Sequence, residues 1–591
     1  MGANRGSSVL RSASVVAAVA LALSAVPLLW GRSTPSLKPL PVAPGVAWDV
    51  PGEIVVDFRD GASTDDVRSF ATKYALGLDS GELSDLSANP ARILTLTTAP
   101  ALAPATLARL RNDPMVEAAE PQHLFAIPEA AGLSEAWQAP PGSGESKDSG
   151  DWKPNDPRYG EQWNFARINV EKAWPITHGK GAVVAVIDTG VAFGDSARGK
   201  RARDFDRTGF VAPYDFVHRD KNPFDDNGHG THVAGTIAES TDNGEGVAGI
   251  AFDAKIMPIK VLSGSGSGRM SDVAAGIRYA ADHGANVINM SLGAPFPDSI
   301  TRNAVKYARN KGVTIICAAG NSGAEGVSYP AAYPECVAVS ALGPTGELAP
   351  YSSWGDQVAV SAPGGDKTKG DSAGILQNTI YNGQDGYYAF QGTSMATPHV
   401  AAVAALIVSQ GVKDPEEVRQ VLEKSAQPRG PKAKYGAGEL NAAEAAKRAG
   451  GESTGYYSRL WMVAALWGFC LLLSRRPGRS RSFRPLAGAL AVTVGVFFPD
   501  VIAAFAGYES SWNLLGHSVL VPAFLMIFEA ETPGEKSFFA LVTAGLAWHL
   551  LGDLWQGTAP LLGSVSWAAL PWLWTNVVVG IGTFVAGLRR A

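Results

Sequence analysis

A helix that is apolar on every side, with a serine in its first turn, constrains the fold of this chain more than any other feature. Residues 392–399 read Gly-Thr-Ser-Met-Ala-Thr-Pro-His, and they run directly into nine apolar residues at 400–408. A helix without a polar face is not suited to a surface, so this one is expected to pass through a core. Gly411 is a natural stop for it.

The start of this helix gives Ser394 a particular setting. Pro398 has no N–H, so the carbonyl of Ser394, four residues earlier, lacks a helical partner and the turn is locally irregular. Unpaired N–H groups and the positive end of the helix dipole would stabilise an oxyanion beside Ser394. A Gly-Thr-Ser triplet alone is more often a turn or an N-cap. A catalytic role for Ser394 therefore requires partners elsewhere in the chain.

Two further motifs supply such partners. The apolar run 183–187 ends at Asp188 and a glycine turn, which is typical of a buried parallel strand with a functional group at its carboxyl end. Residues 227–235 read Asn-Gly-His-Gly-Thr-His-Val-Ala-Gly and carry His229 and His232 into another apolar helix. An imidazole can take the proton of a serine hydroxyl near neutral pH, and a carboxylate can hold the ring in the required tautomer.

The three motifs, in the order Asp, His, Ser, resemble those of the subtilisin-like serine proteases, or subtilases, over residues 153–449. The resemblance implies a serine endopeptidase that hydrolyses peptide bonds through an acyl-enzyme and needs no cofactor for the chemistry. Ser394 would be the nucleophile, His229 the base, and Asp188 the residue that orients the base. His232, on the same helix, would be structural.

Asn321 is the expected side-chain donor to the oxyanion. It follows an apolar strand pattern at 313–318, in the segment Ala-Gly-Asn-Ser-Gly, which is similar to the Ala-Gly-Asn signature of the family. Its amide would act together with the Ser394 backbone N–H. A left-handed turn residue is the alternative interpretation of Asn321.

Glycine-flanked segments at 265–268 and 291–293 are expected to hold the substrate. The resemblance implies that backbone groups here pair with an extended polypeptide as added β-strands. Such pairing depends on the substrate's main chain more than on its side chains, so we expect broad substrate specificity. The residues expected to line this site are Ser267, Gly268, Ser291, Leu292, Gly293, Ala319 and Gly320.

Strands and helices are predicted to alternate from residue 183 onward, which indicates an α/β fold with a parallel sheet and helices on both faces. The predicted strands are 183–187, 255–261, 285–290, 313–318 and 336–341, and the predicted helices before the Ser394 helix are 232–239, 271–283 and 299–311. Ligands bind at the carboxyl ends of such strands. We therefore expect a subtilisin-like sheet, preceded by a small α+β unit and followed by an all-α transmembrane domain.

Calcium is the metal that the resemblance implies, in a structural role. It is a hard cation that binds oxygen ligands, and Asp156, Asp195 and Asp242 stand at family-like positions. The loop 239–247 is one residue longer than the familiar pattern, so solvated loop carboxylates are an equally good interpretation of these residues.

The N-terminal 32 residues are expected to direct export. Arg5 and Arg11 precede an apolar stretch at 13–30, the pattern of a signal peptide or, without a clear cleavage site, of a signal anchor, assigned to residues 1–32. A proline-rich tether follows to residue 49.

Residues 50–127 are predicted to form a small domain with strands at 53–58, 92–98 and 116–127 and helices at 63–76 and 104–112, the first capped by Ser63. This β-α-β-β-α-β-like order, ahead of a protease domain, resembles the inhibitory propeptide of the family. The resemblance implies an intramolecular chaperone whose tail occupies the active cleft; an unrelated accessory domain is the alternative. A flexible linker at 128–152 would carry the maturation cut.

The composition changes after residue 456, where eight of the 15 tryptophans lie. Five hydrophobic segments, at 457–474, 486–506, 514–530, 537–556 and 567–588, approach the roughly 20 residues that span a bilayer. We therefore predict a membrane domain at 457–588. Arginines crowd 475–484 and 589–590, so the positive-inside rule places the C-terminus in the cytoplasm and the protease domain outside the cell membrane.

His549 and Asp553, four residues apart in the predicted membrane domain, suit metal coordination or proton transfer. Their surroundings faintly resemble bacterial inner-membrane metal-dependent hydrolases, and interhelical hydrogen bonds are the alternative. The functional alternatives are a processing protease of narrow specificity and a membrane transporter or hydrolase regulated by its protease. The net charge of −5 gives no reason to expect nucleic acid, and three cysteines cannot form a disulfide framework.

Overall fold

The computed structural model describes residues 48–59, 62–74, 93–127, 137–138 and 152–451. The expected signal segment 1–32, most of the linker 128–152 and the expected membrane domain 457–588 lie outside these residues, as do His549 and Asp553. Within the described ranges, no helix is both long and apolar enough to cross a bilayer.

Residues 49–126 form a small unit, here called the N-terminal unit. Its described elements are β1 (Asp49–Phe58), α1 (Thr64–Lys73), β2 (Ile93–Thr97), α2 (Ala103–Arg111) and β3 (Val116–Ala126). β1 lies between β2 and β3 and is antiparallel to both. α1 begins as predicted behind Ser63, whose hydroxyl accepts the Asp66 N–H at 3.1 Å.

The main domain, residues 152–451, holds the other elements. Its strands, preceded by β4 (Trp137–Gln138), are β5 (Val183–Asp188), β6 (Gly209–Phe210), β7 (Tyr214–Asp215), β8 (Lys255–Lys260), β9 (Ser267–Arg269), β10 (Val287–Met290), β11 (Thr314–Ala318), β12 (Val337–Leu342), β13 (Val358–Pro363), β14 (Ile375–Tyr381) and β15 (Gln384–Phe390). Its helices are α3 (Trp163–Arg167), α4 (Val170–Ala173), α5 (His229–Ala238), α6 (Met270–Asp282), α7 (Ser299–Asn310), α8 (Thr393–Ser409), α9 (Pro415–Ser425), α10 (Lys432–Tyr435) and α11, over 442–451.

A parallel sheet forms the centre of the main domain. Seven strands follow the order β13-β12-β11-β10-β5-β8-β6, and β7 also pairs with β8. Val184 and Val186 of β5 pack into one buried cluster with α5 and α8, whereas Ala185 and Ile187 pack into a second with α6 and α7. Both faces are therefore covered, which explains the continuous apolar runs. The predicted parallel sheet with helices on both faces is confirmed.

The apolar helix predicted around Ser394 is α8, which is 17 residues long. Its residues from Thr393 to Val408 are all buried. It ends at Ser409, and Gly411 beyond it takes a φ of 100°, in the region that favours glycine. The prediction of a helix that passes through the core is confirmed.

The N-terminal unit lies with one face of its sheet on α6 and α7. Val56 packs inside the unit, whereas Val55 joins the buried cluster that contains α6 and α7. Asp57 is fully buried on the same side and accepts hydrogen bonds from Arg278 of α6 at 3.3 Å and Asn303 of α7 at 3.2 Å. The two bodies are therefore joined by apolar packing and by a buried ion pair.

Several elements differ from the sequence-based predictions. α5 begins at His229, three residues before the predicted start, because glycines on both sides of this histidine are poor helix formers and conceal the helix in the sequence. The strand β13, the antiparallel hairpin β14–β15 and the helix α9 were not predicted. Cys317 and Cys336 are buried free thiols.

Candidate active site

Asp188 and His229 meet at the carboxyl end of β5. Asp188 is the last residue of β5 and His229 the first of α5, and both are buried. The Nδ1 atom of His229 lies 2.7 Å from Oδ1 of Asp188. Because an ionised carboxylate can only accept a hydrogen bond, Nδ1 carries the proton, and Nε2 is the ring atom that can act as a base.

A second buried carboxylate, Asp225, holds the start of α5. Its Oδ1 accepts the Gly228 N–H at 2.8 Å and the Thr189 hydroxyl at 2.9 Å. Its Oδ2 accepts the Thr231 N–H at 2.8 Å and the Thr231 hydroxyl at 2.6 Å. An acid at a helix N-terminus satisfies unpaired N–H groups. Asp225 therefore fixes the turn that carries His229, a role that the sequence reasoning missed.

Gly230 allows α5 to approach β5 closely. A Cβ atom at this position would lie 2.2 Å from the Gly190 carbonyl oxygen and 3.1 Å from the Asp188 Cβ. Such contacts are too short for any side chain. The glycine after His229 is therefore required for the imidazole to reach Asp188.

Ser291 provides a hydrogen-bond donor for the Ser394 carbonyl, which has no helical partner because Pro398 lacks an N–H. Its hydroxyl donates to the Ser394 carbonyl at 2.8 Å, and the Ser394 hydroxyl donates to the Ser291 carbonyl at 3.3 Å. Ser291 follows β10, the strand next to β5. The first turn of α8 is thus tied to the same sheet edge as Asp188.

Asn321 follows β11, which lies next to β10, at the same edge. Its Oδ1 accepts the Thr393 N–H at 2.9 Å and the Thr393 hydroxyl at 2.8 Å. A backbone N–H can only donate, so the amide oxygen must face Thr393 and the amide NH₂ points elsewhere. Thr393 also accepts the Gly320 N–H at 3.2 Å. It orients the amide, and sequence reasoning gave it no role although it directly precedes Ser394.

The end of the N-terminal unit occupies the two predicted substrate segments. Phe125 pairs with Gly268 and Ala126 with Ser267, both in antiparallel register with β9. On the other side, Ala126 and Gly293 exchange two backbone hydrogen bonds at 3.1 and 2.9 Å. An extended tail thus lies between both segments as an added strand.

Two side chains of this tail are buried as deeply as core residues. Phe125 has no exposed surface and Ile127 has 2%. The Ile127 N–H donates to the Gly266 carbonyl at 2.9 Å, and a Cβ at Gly266 would lie 2.8 Å from the Ile127 side chain. The tail is therefore held by main-chain pairing and by apolar packing together.

Comparisons with known proteins agree with this geometry. The family model described as "Subtilase family" matches residues 179–438. A thermophilic serine proteinase from Bacillus sp. (strain AK1) is 36% identical over 379 residues, which are 64% of this chain and 82% of the relative. Thermitase from Thermoactinomyces vulgaris is 40% identical over 279 residues, which are 46% of this chain and 92% of the relative.

The chain belongs to the subtilase family. It is accordingly a subtilisin-like serine endopeptidase, a hydrolase of peptide bonds. Among solved structures, proteases from Pseudoalteromonas arctica match with 34% identity and a TM-score of 0.46, covering 50% of this chain and 100% of the other.

Ala319 and Gly320, which were expected to line the substrate site, make backbone hydrogen bonds within the main domain. Ala319 donates to the Val339 carbonyl at 3.0 Å and accepts the Ser328 N–H at 2.9 Å. Gly320 accepts the Ser353 N–H at 2.8 Å. Their contact with substrate remains a prediction. Leu292 is buried and lies between Ser291, which contacts Ser394, and Gly293, which contacts the tail.

Asp156 and Asp242, two of the expected calcium ligands, lie together. Asp156 is buried and accepts the N–H groups of Asp242 at 2.9 Å and Asn243 at 3.2 Å. Beside it, buried Asp204 accepts the Val247 N–H at 2.9 Å and the Asn243 amide at 2.9 Å. Burial raises the pKa of Asp156, and burial raises the pKa of Asp204 to about 7.

Asp195, the third expected ligand, is an exposed residue engaged elsewhere. Its carboxylate pairs with Lys200 at 2.8 Å and accepts the Arg201 N–H at 3.1 Å. Among the residues that the structure describes, no three His, Cys, Asp or Glu side chains are grouped as metal ligands. Asp204 is distinguished from other aspartates by its burial, which the sequence alone does not reveal.

His232 lies on the first turn of α5 but is fully buried away from water. Its Nε2 contacts the carbonyls of Ile375 at 2.9 Å and Tyr388 at 3.1 Å, and its ring stacks on Phe390 at 4.4 Å. Burial lowers its pKa to about 3. Its contacts are those of a neutral structural residue.

Substitution of Ser291 by alanine tests the link between β10 and α8. The variant leaves the buried Ser394 carbonyl unsatisfied, so we expect a loss of about 1–3 kcal/mol in the free energy of unfolding and a lower kcat. Denaturant unfolding and peptide hydrolysis measure both. Ser409→Ala, at the other end of α8, is the control and should leave kcat unchanged. A Ser291→Ala enzyme with unchanged kcat and stability would contradict this account.

Proposed function

We propose that this subtilase is a membrane-anchored zymogen in which Ser394 attacks the peptide carbonyl, His229 takes the serine proton and Asp188 orients the imidazole. The observation that carries the catalytic assignment is the 2.7 Å contact between His229 Nδ1 and Asp188 Oδ1, at the sheet edge to which Ser291 ties Ser394.

The proton path follows from this contact. With the Asp188 carboxylate accepting the Nδ1–H, Nε2 is free of a proton and basic enough to deprotonate a serine hydroxyl. The imidazolium formed is stabilised by the buried carboxylate, and Nε2–H then protonates the leaving amine. Water repeats the sequence on the acyl-enzyme, which releases the second product and restores Ser394.

The tetrahedral intermediate places negative charge on the former carbonyl oxygen. The Asn321 amide and the Ser394 backbone N–H are proposed to donate to it. The Thr393 contacts support this role because they use the amide oxygen of Asn321. One such donor contributes about 2.7–4 kcal/mol to lowering the barrier.

The N-terminal unit is proposed to be the inhibitor of the enzyme that carries it. Its tail fills the segments that an extended substrate would use, with two backbone hydrogen bonds between Ala126 and Gly293. Glu120 also caps α7, accepting the Ser299 N–H at 3.1 Å, and Gln122 accepts the Ser271 N–H of α6 at 3.3 Å. Acceptors at helix N-termini are favoured by the helix dipole, so these contacts add to the tail and to the buried Asp57–Arg278 ion pair in joining the unit to the main domain.

The alignment with the Bacillus proteinase supports shared architecture beyond the main domain. It spans 64% of this chain, whereas residues 152–451 are about half of it. The hydrophobic segments from residue 457 onward are the basis for proposing a multi-pass anchor in the cell membrane, with the main domain on the outer side and the C-terminus in the cytoplasm.

Labelling with a fluorophosphonate probe tests the nucleophile. Purified full-length protein should lose all labelling on Ser394→Ala, whereas Ser409→Ala should label like wild type. In the same preparation, Ser394→Ala should remain at full length on a gel, and wild type should release the N-terminal unit. Labelling that survives Ser394→Ala would overturn the assignment. Equal gel mobility of both proteins would overturn self-processing alone.

The sequence after the tail indicates where self-cleavage does not occur. Ala126 pairs with Gly293 in antiparallel register, so continued pairing would place residue 128 opposite Ser291, with its N–H donating to the Ser291 carbonyl. Residue 128 is a proline and has no N–H to donate. We therefore propose that the Pro128–Glu129 bond is a poor substrate and that the cut falls further along the linker. This would keep the tail intact as an inhibitor.

Pro128→Ala should restore the missing donor and move the first cut to the bond after residue 128. N-terminal sequencing of the processed main domain measures the position in wild type and variant. Pro140→Ala, in the same linker, is the control and should leave the position unchanged. A wild-type main domain that begins at Glu129 would contradict the proposal.

Structural calcium is proposed near Asp156 and Asp204. Two buried carboxylates with raised pKa values lie on either side of Asn243 there, and a divalent cation bound by their oxygens would offset their repulsion. Calcium at 100 times its Kd should stabilise the fold by about 2.7 kcal/mol, seen as a Tm that falls with chelator. Asp204→Asn should remove this dependence and the control Asp195→Asn should retain it. Equal calcium dependence in both variants would place the ion elsewhere.

A further inference from the structure

An exposed aromatic patch lies on the main domain far from the cleft. The patch, here called the end patch, consists of Trp152, Ile176, His178 and Phe252. Trp152 is 42% exposed and Ile176 41%, unusual values for large apolar residues in the described chain. The Trp152 ring lies 6.1 Å from each of the His178 and Phe252 rings, and these two stack at 4.5 Å.

The patch is rigidly supported from below. Trp152 packs edge-on against buried Trp174, with ring centroids 5.4 Å apart. The Trp174 indole donates to the Ile250 carbonyl at 2.9 Å, which fixes its ring. His178 is also held by Asp253, which donates its N–H to the His178 carbonyl at 3.0 Å. The exposed rings are therefore a fixed surface.

The end patch sits at the amino edge of the parallel sheet. His178 precedes the start of β5 and Phe252 precedes the start of β8, and these two strands are paired neighbours. Parallel strands begin at one edge and end at the other, and β5 ends at Asp188. The patch and the active site are therefore on opposite edges of the sheet.

The described chain also ends at this amino edge. α8 carries Ser394 in its first turn and, at about 1.5 Å per residue, is roughly 25 Å long. At its far end, the Ser409 hydroxyl lies 2.7 Å from the Thr177 hydroxyl, between Ile176 and His178 of the end patch. Gln410 then donates to the Ala446 carbonyl of α11 at 2.9 Å. The last described helix thus runs beside the end patch.

Only five residues separate position 451 from the hydrophobic segment at 457. Six peptide steps span at most about 20 Å, so a span that starts there would keep this edge of the sheet near the bilayer. Three exposed lysines, at positions 172, 180 and 255, lie within four residues of end-patch members in the sequence. Amphipathic aromatic rings and lysines are the residues that prefer the headgroup region of a membrane.

We propose that the end patch rests in the headgroup region of an anionic bilayer and holds the active cleft away from it. The inference depends on the proposed membrane anchor and adds an orientation to it. The long axis of α8 then points from the membrane toward the cleft, so Ser394 acts roughly 25 Å or more from the lipid surface. The substrates are therefore extended polypeptides outside the bilayer, and segments embedded in lipid do not reach the nucleophile.

Lipid quenching of a fluorophore placed on the patch tests this orientation. Full-length protein carrying Trp152→Cys and Cys470→Ser, with Ser394→Ala to prevent self-cleavage, is labelled with an environment-sensitive dye. Cys317 and Cys336 are buried. The protein is inserted into phosphatidylcholine–phosphatidylglycerol vesicles with or without a lipid spin label near the headgroup. We expect loss of most of the fluorescence with the spin-labelled lipid.

Gln384→Cys in the same background is the matched control. Residue 384 is exposed on the β14–β15 hairpin, whose Ile380 carbonyl adjoins Gly228 next to His229, so its dye should not be quenched. Ile176→Cys gives a second probe of the end patch and should be quenched like position 152. Circular dichroism of each labelled protein checks that the fold is retained.

The outcomes separate the orientation from the anchor. Quenching at 152 and 176, without quenching at 384, is the expected result. Protein that floats with the vesicles but shows no quenching at 152 and 176 would overturn the orientation and leave the anchor in place. Quenching at all three positions would likewise overturn it. Protein that fails to float with the vesicles would overturn the anchor, and the orientation with it.

Discussion

One carbonyl that lacks a partner within its own helix organises the active edge of this subtilase. Pro398 removes the N–H that would pair with the Ser394 carbonyl in a regular helix, and this group is fully buried. An orphaned buried acceptor costs about 1–3 kcal/mol. The Ser291 hydroxyl meets it at 2.8 Å, which requires the end of β10 to lie against the first turn of α8. The nucleophile is thereby placed by the backbone, independently of the histidine.

The same edge is completed by contacts of a similar kind. Thr393 fixes the Asn321 amide through two hydrogen bonds, and Asp225 satisfies the first turn of α5. In each case a side-chain oxygen pairs N–H groups that a helix terminus leaves unpaired. The geometry of the site is therefore set by the termini of two helices that are buried in one core, with partners supplied by the segments that follow β7, β10 and β11.

Much of this arrangement could be read from the sequence, because its strongest signals are local. The apolar run before Asp188 and the apolar helix after Ser394 need no partner to be recognised, and both lie where they were predicted. The start of α5 at His229 was missed because Asp225 stabilises it from outside the helix. The buried Asp204 was not singled out beside Asp156, whereas the exposed Asp195 was, since nothing in the sequence distinguishes a buried carboxylate from an exposed one.

The complete burial of α8 has a consequence for how this sequence can vary. Every side chain from Thr393 to Val408 touches other parts of the core, and Ala and Val dominate the helix, so neighbouring strands approach closely. No position faces water, where a substitution would be neutral. An added methylene would force shifts in several packed elements at once. The sequence of this helix is therefore coupled to that of β10, β11, β12 and α5. Divergent members of the family should therefore change these elements together or hardly at all.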